Sequence, residues 1–178
     1  MRFLVKHQTQ NPSYARNRRI NLKEKGLFFH STGANNPYLS RYVDWPEELG
    51  PNKHGNHWNK PTAKKSMHGF IGWTRDKRDV AYVETLPTDR ACWGAGAGSK
   101  GSANYDPNAY MQLEVCEDGL TDPIYYNLCW GPGGACEQLA VRECMNRGWN
   151  ATDVNAAGQR TISSHFEEAR RGYASNHG

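Results

Sequence analysis

Leu27-Phe28-Phe29-His30-Ser31-Thr32-Gly33-Ala34-Asn35-Asn36-Pro37 is the stretch whose reading decides the fold. Three consecutive apolar residues, two of them aromatic, predict a short strand covered on both faces. Gly33 and Pro37, set among small polar residues, turn the chain after it. The strand stops on His30. A histidine held at the end of a buried strand has the fixed placement that metal ligands and general bases need. The alternative is a core histidine hydrogen-bonded to backbone.

Further strands follow from the same reasoning. Met67–Trp73 and Asp79–Thr85, joined by the polar turn Thr74-Arg75-Asp76-Lys77, predict an antiparallel hairpin. Ala109–Cys116 predicts a fourth strand with Glu114 on the face opposite Leu113 and Val115. A carboxylate inside a strand is costly to bury unless it is paired or takes part in chemistry. Asp122-Pro123 is a helix start. A helix is expected from Ala135 to Arg147, with Leu139, Ala140, Cys144 and Met145 facing the core and Gly148 ending it. Thr161-Ile162-Ser163 is a short strand that delivers His165. Residues 1–25 read as an extended polar lead-in, and Pro37–Val43 as a turn of helix.

Two loops invite a site and do not carry one. His54 and His57 lie three apart between Pro46 and Lys65 with no cysteine or carboxylate partner nearby, so that loop is read as anchored by Trp58. The run Cys92-Trp93-Gly94-Ala95-Gly96-Ala97-Gly98-Ser99-Lys100-Gly101 lacks the phosphate-loop spacing and precedes no helix pattern. It is read as a flexible loop bordering a groove, with Trp93 as a flat wall.

The whole chain of 178 residues fits one domain, without a low-complexity linker or fixed-period repeat. Its apolar residues are too scattered for a membrane span. Met1–His7 holds no apolar run of secretory length, so synthesis and retention in the cytoplasm are expected unless something else releases the protein. Five cysteines, an odd number without CxxC spacing, point to buried reduced thiols. The net charge of +4 is mild. Arg16, Arg18 and Arg19 cluster without a basic helix or RNA-type aromatic motif, which argues for a solvated basic face and leaves cell wall as good an acidic partner as nucleic acid. The 11% aromatic content and 18 glycines fit a groove-bearing enzyme or binder better than a helical bundle.

His30 and His165 both stand just past short β-type runs, Glu114 lies on a third strand, and His177 lies in the tail. Together they form a candidate hydrolytic metal site. Zinc favours imidazole, and a catalytic site keeps three protein ligands and one open position. A nearby carboxylate then takes the proton of the attacking water.

These residues sit in familiar blocks. They are Phe28 to Pro37, Arg41-Tyr42-Val43, Asn56-His57-Trp58-Asn59, His68-Gly69-Phe70-Ile71-Gly72, Gly98 to Asn104, Leu113 to Asp118, and Ser164-His165 through Ser175-Asn176-His177-Gly178. In this order, from about residue 11 to the last, they resemble the N-acetylmuramoyl-L-alanine amidase domain of phage and prophage endolysins. That domain belongs to the zinc amidase superfamily that includes peptidoglycan recognition proteins. The resemblance implies an α/β fold: a central mixed β-sheet flanked by helices, with a zinc groove at one face. It implies His30 and His165 as zinc ligands, Glu114 as general base, and His68 on the strand lining the groove. Trp93 and Asn104 would border the glycan–peptide substrate, and His177 would stabilise the oxyanion.

Relatives continue past Asn-His-Gly with an Asp-Pro whose aspartate is the third ligand. The resemblance therefore implies either a domain, 1–178, truncated just before that ligand, or a site completed by His177. The implied activity is zinc-dependent hydrolysis of the amide between N-acetylmuramic acid and L-alanine in peptidoglycan. No nucleic-acid partner and no membrane insertion are expected, and release to the wall would need a holin or host lysis. The alternatives are a peptidoglycan-binding module on the same fold with catalysis lost, and a basic interaction domain whose histidines are structural.

Overall fold

Six strands form one mixed sheet in the computed structural model, which describes residues 1–16, 26–77 and 79–175. In chain order they are β1 (Arg2–Val5), β2 (Leu27–Ser31), β3 (Gly69–Trp73), β4 (Val80–Glu84), β5 (Met111–Val115) and β6 (Ile162–Ser164). Across the sheet the order is β1-β4-β3-β5-β2-β6. β3 and β4 pair antiparallel, as the hairpin reading expects, and the other pairings are parallel. β2, β3, β5 and β6 therefore run the same way and end along one edge. Open α/β sheets bind ligands at that edge.

The helices are α1 (Pro12–Arg16), α2 (Pro46–Leu49), α3 (Pro123–Trp130), α4 (Ala135–Arg147) and α5 (His165–Arg171), with a 3-10 turn at Leu39–Arg41. Alternation along the strands sorts residues between two layers. Leu27, Phe29, Leu113 and Val115 pack with Tyr125 and Cys129 of α3 and Leu139 and Ala140 of α4. On the opposite face, Phe70 packs with Leu39, Tyr42, Val43 and Trp58, and Phe28 packs with Tyr110, Ala103 and Ala174. β5 lies between β3 and β2, so Gln112 and Glu114 emerge between these two smaller clusters. Trp58 does anchor its loop, and all five cysteines are buried free thiols.

Helix ends follow local chemistry. Asp122 caps α3 by accepting from the Ile124 and Tyr125 amides at 3.0 and 3.1 Å, ahead of Pro123. Gly148 closes α4 in the left-handed conformation, at φ 66°.

Two expectations need correction. The start of the chain is not a plain extended lead-in: β1 pairs with β4, and α1 follows. Residues 17–25, which hold Arg18 and Arg19, lie outside the described residues. Met145 is 78% exposed, because the buried side of α4 is set by Cys136, Leu139, Ala140, Glu143 and Cys144. His165 stands just past β6, as expected, and is also the first residue of α5. No described helix is long and apolar enough to cross a membrane.

Candidate functional site

His30 is the penultimate residue of β2, and its register partner on β5 is Glu114. In parallel register the two share a face, which is the one away from α3 and α4. His165 reaches the same place from β6. Ser164 ends that strand and caps α5: its Oγ accepts from the Glu167 amide, while Glu167 accepts from the Ser164 amide. Buried Glu168 ties the helix down, accepting from Ser163 Oγ at 2.6 Å and from Arg171 Nη1 at 2.9 Å. The cap sets where α5 begins and so where His165 stands.

The two imidazoles meet Nδ1 to Nδ1 at 3.0 Å, with ring planes at 85°. Their far nitrogens decide which protons they carry. His165 Nε2 lies 2.9 Å from the Ser175 carbonyl, which can only accept, so Nε2 carries the hydrogen. His30 Nε2 lies 3.0 Å from Gln112 Oε1. The Gln112 amide is oriented by its own donors, Nε2 giving to Ala103 O at 3.0 Å and Asn104 Oδ1 at 2.8 Å. Both neutral rings therefore turn bare Nδ1 lone pairs toward each other.

A proton is a poor remedy for that repulsion. Burial, and then the neighbouring His165, hold His30 down to about 3, against the favourable Gln112 bond. A divalent cation suits this donor set: two bare imidazole nitrogens, each backed by a carbonyl-type acceptor. Among the described residues no third His, Cys, Asp or Glu joins the pair. His177 lies outside the described residues.

Glu114 is buried, and its Oε2 has no hydrogen-bond partner among the described residues. Burial pushes its carboxyl up to about 8; the Lys65 charge opposes the rise and Glu117 adds to it. A cleft of about 370 Å³ reaches from Thr32, two residues past His30, to Arg41, Lys60, Lys64 and Lys65.

Two of three neighbouring expectations resolve differently. His68 does not line the groove. It is fully buried, its Nδ1 accepts from the Gln112 amide at 2.9 Å, and its Nε2 donates to Arg90 O at 2.8 Å. Asn104 is 7% exposed and does not face substrate; it accepts from the Ala95 amide and from Gln112, and donates to Ala95 O. Trp93 is half-buried, with the Arg16 guanidinium 4.9 Å over its ring.

The glycine run is a packed clamp rather than a free loop. Ser175 N donates to Gly96 O, Lys100 N to Gly172 O, and Ala103 N to Tyr173 O. A Cβ on Gly98 would collide with the Gly172 carbonyl, and one on Gly94 would lie 2.5 Å from Gln112 Oε1. These glycines let the backbone close on the tail that holds His165 and on the amide that holds His30. Gln112, which sequence reasoning missed, had one available signal: a polar residue two positions before Glu114 on the same strand face.

Buried His68 makes a pH prediction. Burial lowers it to about 4, with the Arg90 carbonyl opposing and Arg147 adding. An unfolded histidine titrates near 6.5, so between those values the unfolded chain binds the extra proton. Its contribution is present above about 6.5 and is lost as pH falls toward 4. Urea melts from pH 6.5 to 4.5 should show a His68→Gln variant with a shallower loss than wild type, by about 1.4 kcal/mol per pH unit. Parallel slopes would contradict this.

No protein-family model matches the sequence, and no curated relative does either. Solved structures do match in fold. Hydrolase AmiA of Staphylococcus aureus, in complex with its ligand, aligns over 99% of this chain and 73% of its own at TM-score 0.61 and 16% identity. The catalytic domain of XlyA aligns over 94% and 86% at TM-score 0.58 and 15% identity. A mutant endolysin from Bacillus subtilis aligns over 97% and 89% at TM-score 0.57 and 17% identity. The chain has the α/β fold that these hydrolase and endolysin structures share.

Proposed function

We propose that this chain is a zinc-dependent N-acetylmuramoyl-L-alanine amidase that cleaves the amide joining the glycan to the stem peptide of peptidoglycan. The observation that carries the reading is the convergence of His30 and His165 through bare Nδ1 atoms beside a buried carboxylate, Glu114, whose Oε2 has no hydrogen-bond partner among the described residues. The fold shared with a hydrolase and an endolysin supports the substrate class.

Zinc, when bound, would supply Lewis-acid chemistry, lowering the pKa of a water and polarising the scissile carbonyl. His30 and His165 would hold it through Nδ1. Glu114 takes the proton of the attacking water at Oε2 and returns it to the leaving amine. A carboxyl pushed up to about 8 suits that exchange, because uptake and return are both accessible near neutral pH. The cationic cleft beside Thr32 receives the substrate. His177 is assigned the developing oxyanion.

The reading is tested on purified peptidoglycan by following new amino termini and reducing sugars together. Alanine amino termini should appear without new reducing ends. Binding without any cleavage would favour the second reading, a peptidoglycan-binding module.

A further inference from the structure

We infer that Gln112 and Asn104 are positioning residues that select the metal-binding tautomer of His30, an inference that rests on the metal reading above. The chain of hydrogen bonds begins at backbone, where nothing can flip. The Ala95 amide donates to Asn104 Oδ1 at 3.0 Å, and Asn104 Nδ2 donates to Ala95 O. That orients Asn104 to accept from Gln112 Nε2 at 2.8 Å, while Ala103 O takes the other hydrogen at 3.0 Å. With both donors committed, Oε1 is the only Gln112 atom left to face His30 Nε2, at 3.0 Å. An acceptor there requires a hydrogen on Nε2 and leaves Nδ1 bare toward His165.

The surroundings are shaped for this amide. Gln112 is fully buried, and Gly94 leaves the space that Oε1 occupies, since a Cβ would lie 2.5 Å from it. A buried primary amide has four hydrogen-bonding sites to satisfy, which makes it a costly filler for a central strand. Here each donor and the acceptor has a partner. The same loop fixes the other ring, because Ser175, whose carbonyl takes the His165 hydrogen, is itself bound to Gly96 O. One glycine-containing loop thus holds the second partner of both histidines.

Two substitutions separate the acceptor from the packing. Gln112→Met keeps length and burial and removes the acceptor. Gln112→Glu keeps an acceptor toward His30, and its protonated carboxyl can donate to one of Ala103 O and Asn104 Oδ1, losing one of the two internal bonds. Ring nitrogen chemical shifts of the metal-free protein should report the Nε2–H tautomer for His30 in wild type and Gln112→Glu, and a loss of that single form in Gln112→Met. Zinc affinity, titrated with the metal alone, should fall about 10–100-fold in Gln112→Met, the usual range for a lost outer partner. Gln112→Glu should hold zinc more tightly than Gln112→Met.

An Nδ1–H tautomer in wild type would overturn the inference, as would undiminished zinc affinity in Gln112→Met. Equal losses in both variants would assign Gln112 to packing alone. The tautomer is read without metal or substrate. Failure of wild type to cleave peptidoglycan would therefore count against the amidase reading and leave this one standing on its own measurement.

Discussion

Replacing His30 by alanine is expected to abolish zinc retention and wall hydrolysis together while the protein stays folded. Only one described imidazole would remain at the site. The charge stabilisation lost with the metal is worth several kcal/mol, so turnover should drop by at least about 10³. The fold should survive because the core around β2 rests on Leu27, Phe28 and Phe29, not on the ring. The variant leaves Gln112 Oε1 without its donor, a cost of about 1–3 kcal/mol. Metal content, cell-wall turnover and a urea melt on one preparation check all three parts. A variant that keeps zinc would move the metal site elsewhere.

Glu114→Gln should behave differently in kind, keeping zinc and losing about 10²–10⁴ in turnover, the contribution of a positioned base. It should also make the protein more stable at pH 8. Burial raises the Glu114 carboxyl to about 8, whereas an unfolded glutamate titrates near 4.3. The folded chain therefore holds the extra proton between those values, and stability falls as pH rises through the window. An amide removes that dependence, a gain on the order of a few kcal/mol near pH 8. Lower turnover with higher stability is the signature of a group kept for chemistry rather than for folding. If turnover were unchanged, Glu114 would not be the base.

Much of the sheet was legible because burial leaves a pattern. The β2 run is continuous since both its faces are covered, and Glu114 stands out among the apolar residues of β5. β1 was missed because Arg2–Val5 is a four-residue edge strand with three exposed residues, so it carries no alternation to read. The start of α5 was legible in Ser164-His165-Phe166-Glu167, which has capping-box spacing, although the helix follows β6 with no intervening turn to mark its start. His68 and Asn104 were misplaced for a shared reason: a histidine or asparagine near a site looks the same in sequence whether its polar atoms face substrate or backbone. Only the partners decide, and for both residues the partners are internal. The glycine run was legible as irregular chain, yet its clamp on the tail depends on contacts some 75 residues apart, between Gly96 or Lys100 and the segment Gly172 to Ser175, which no local pattern encodes.

The most direct measurement is a zinc titration of the metal-stripped full chain, followed through the ring resonances of its histidines. One equivalent of zinc should shift His30 and His165 together, with Nδ1 as the coordinated nitrogen on each ring and His68 unchanged. Zinc that fails to bind, or that binds while leaving His30 and His165 unperturbed, would contradict the account.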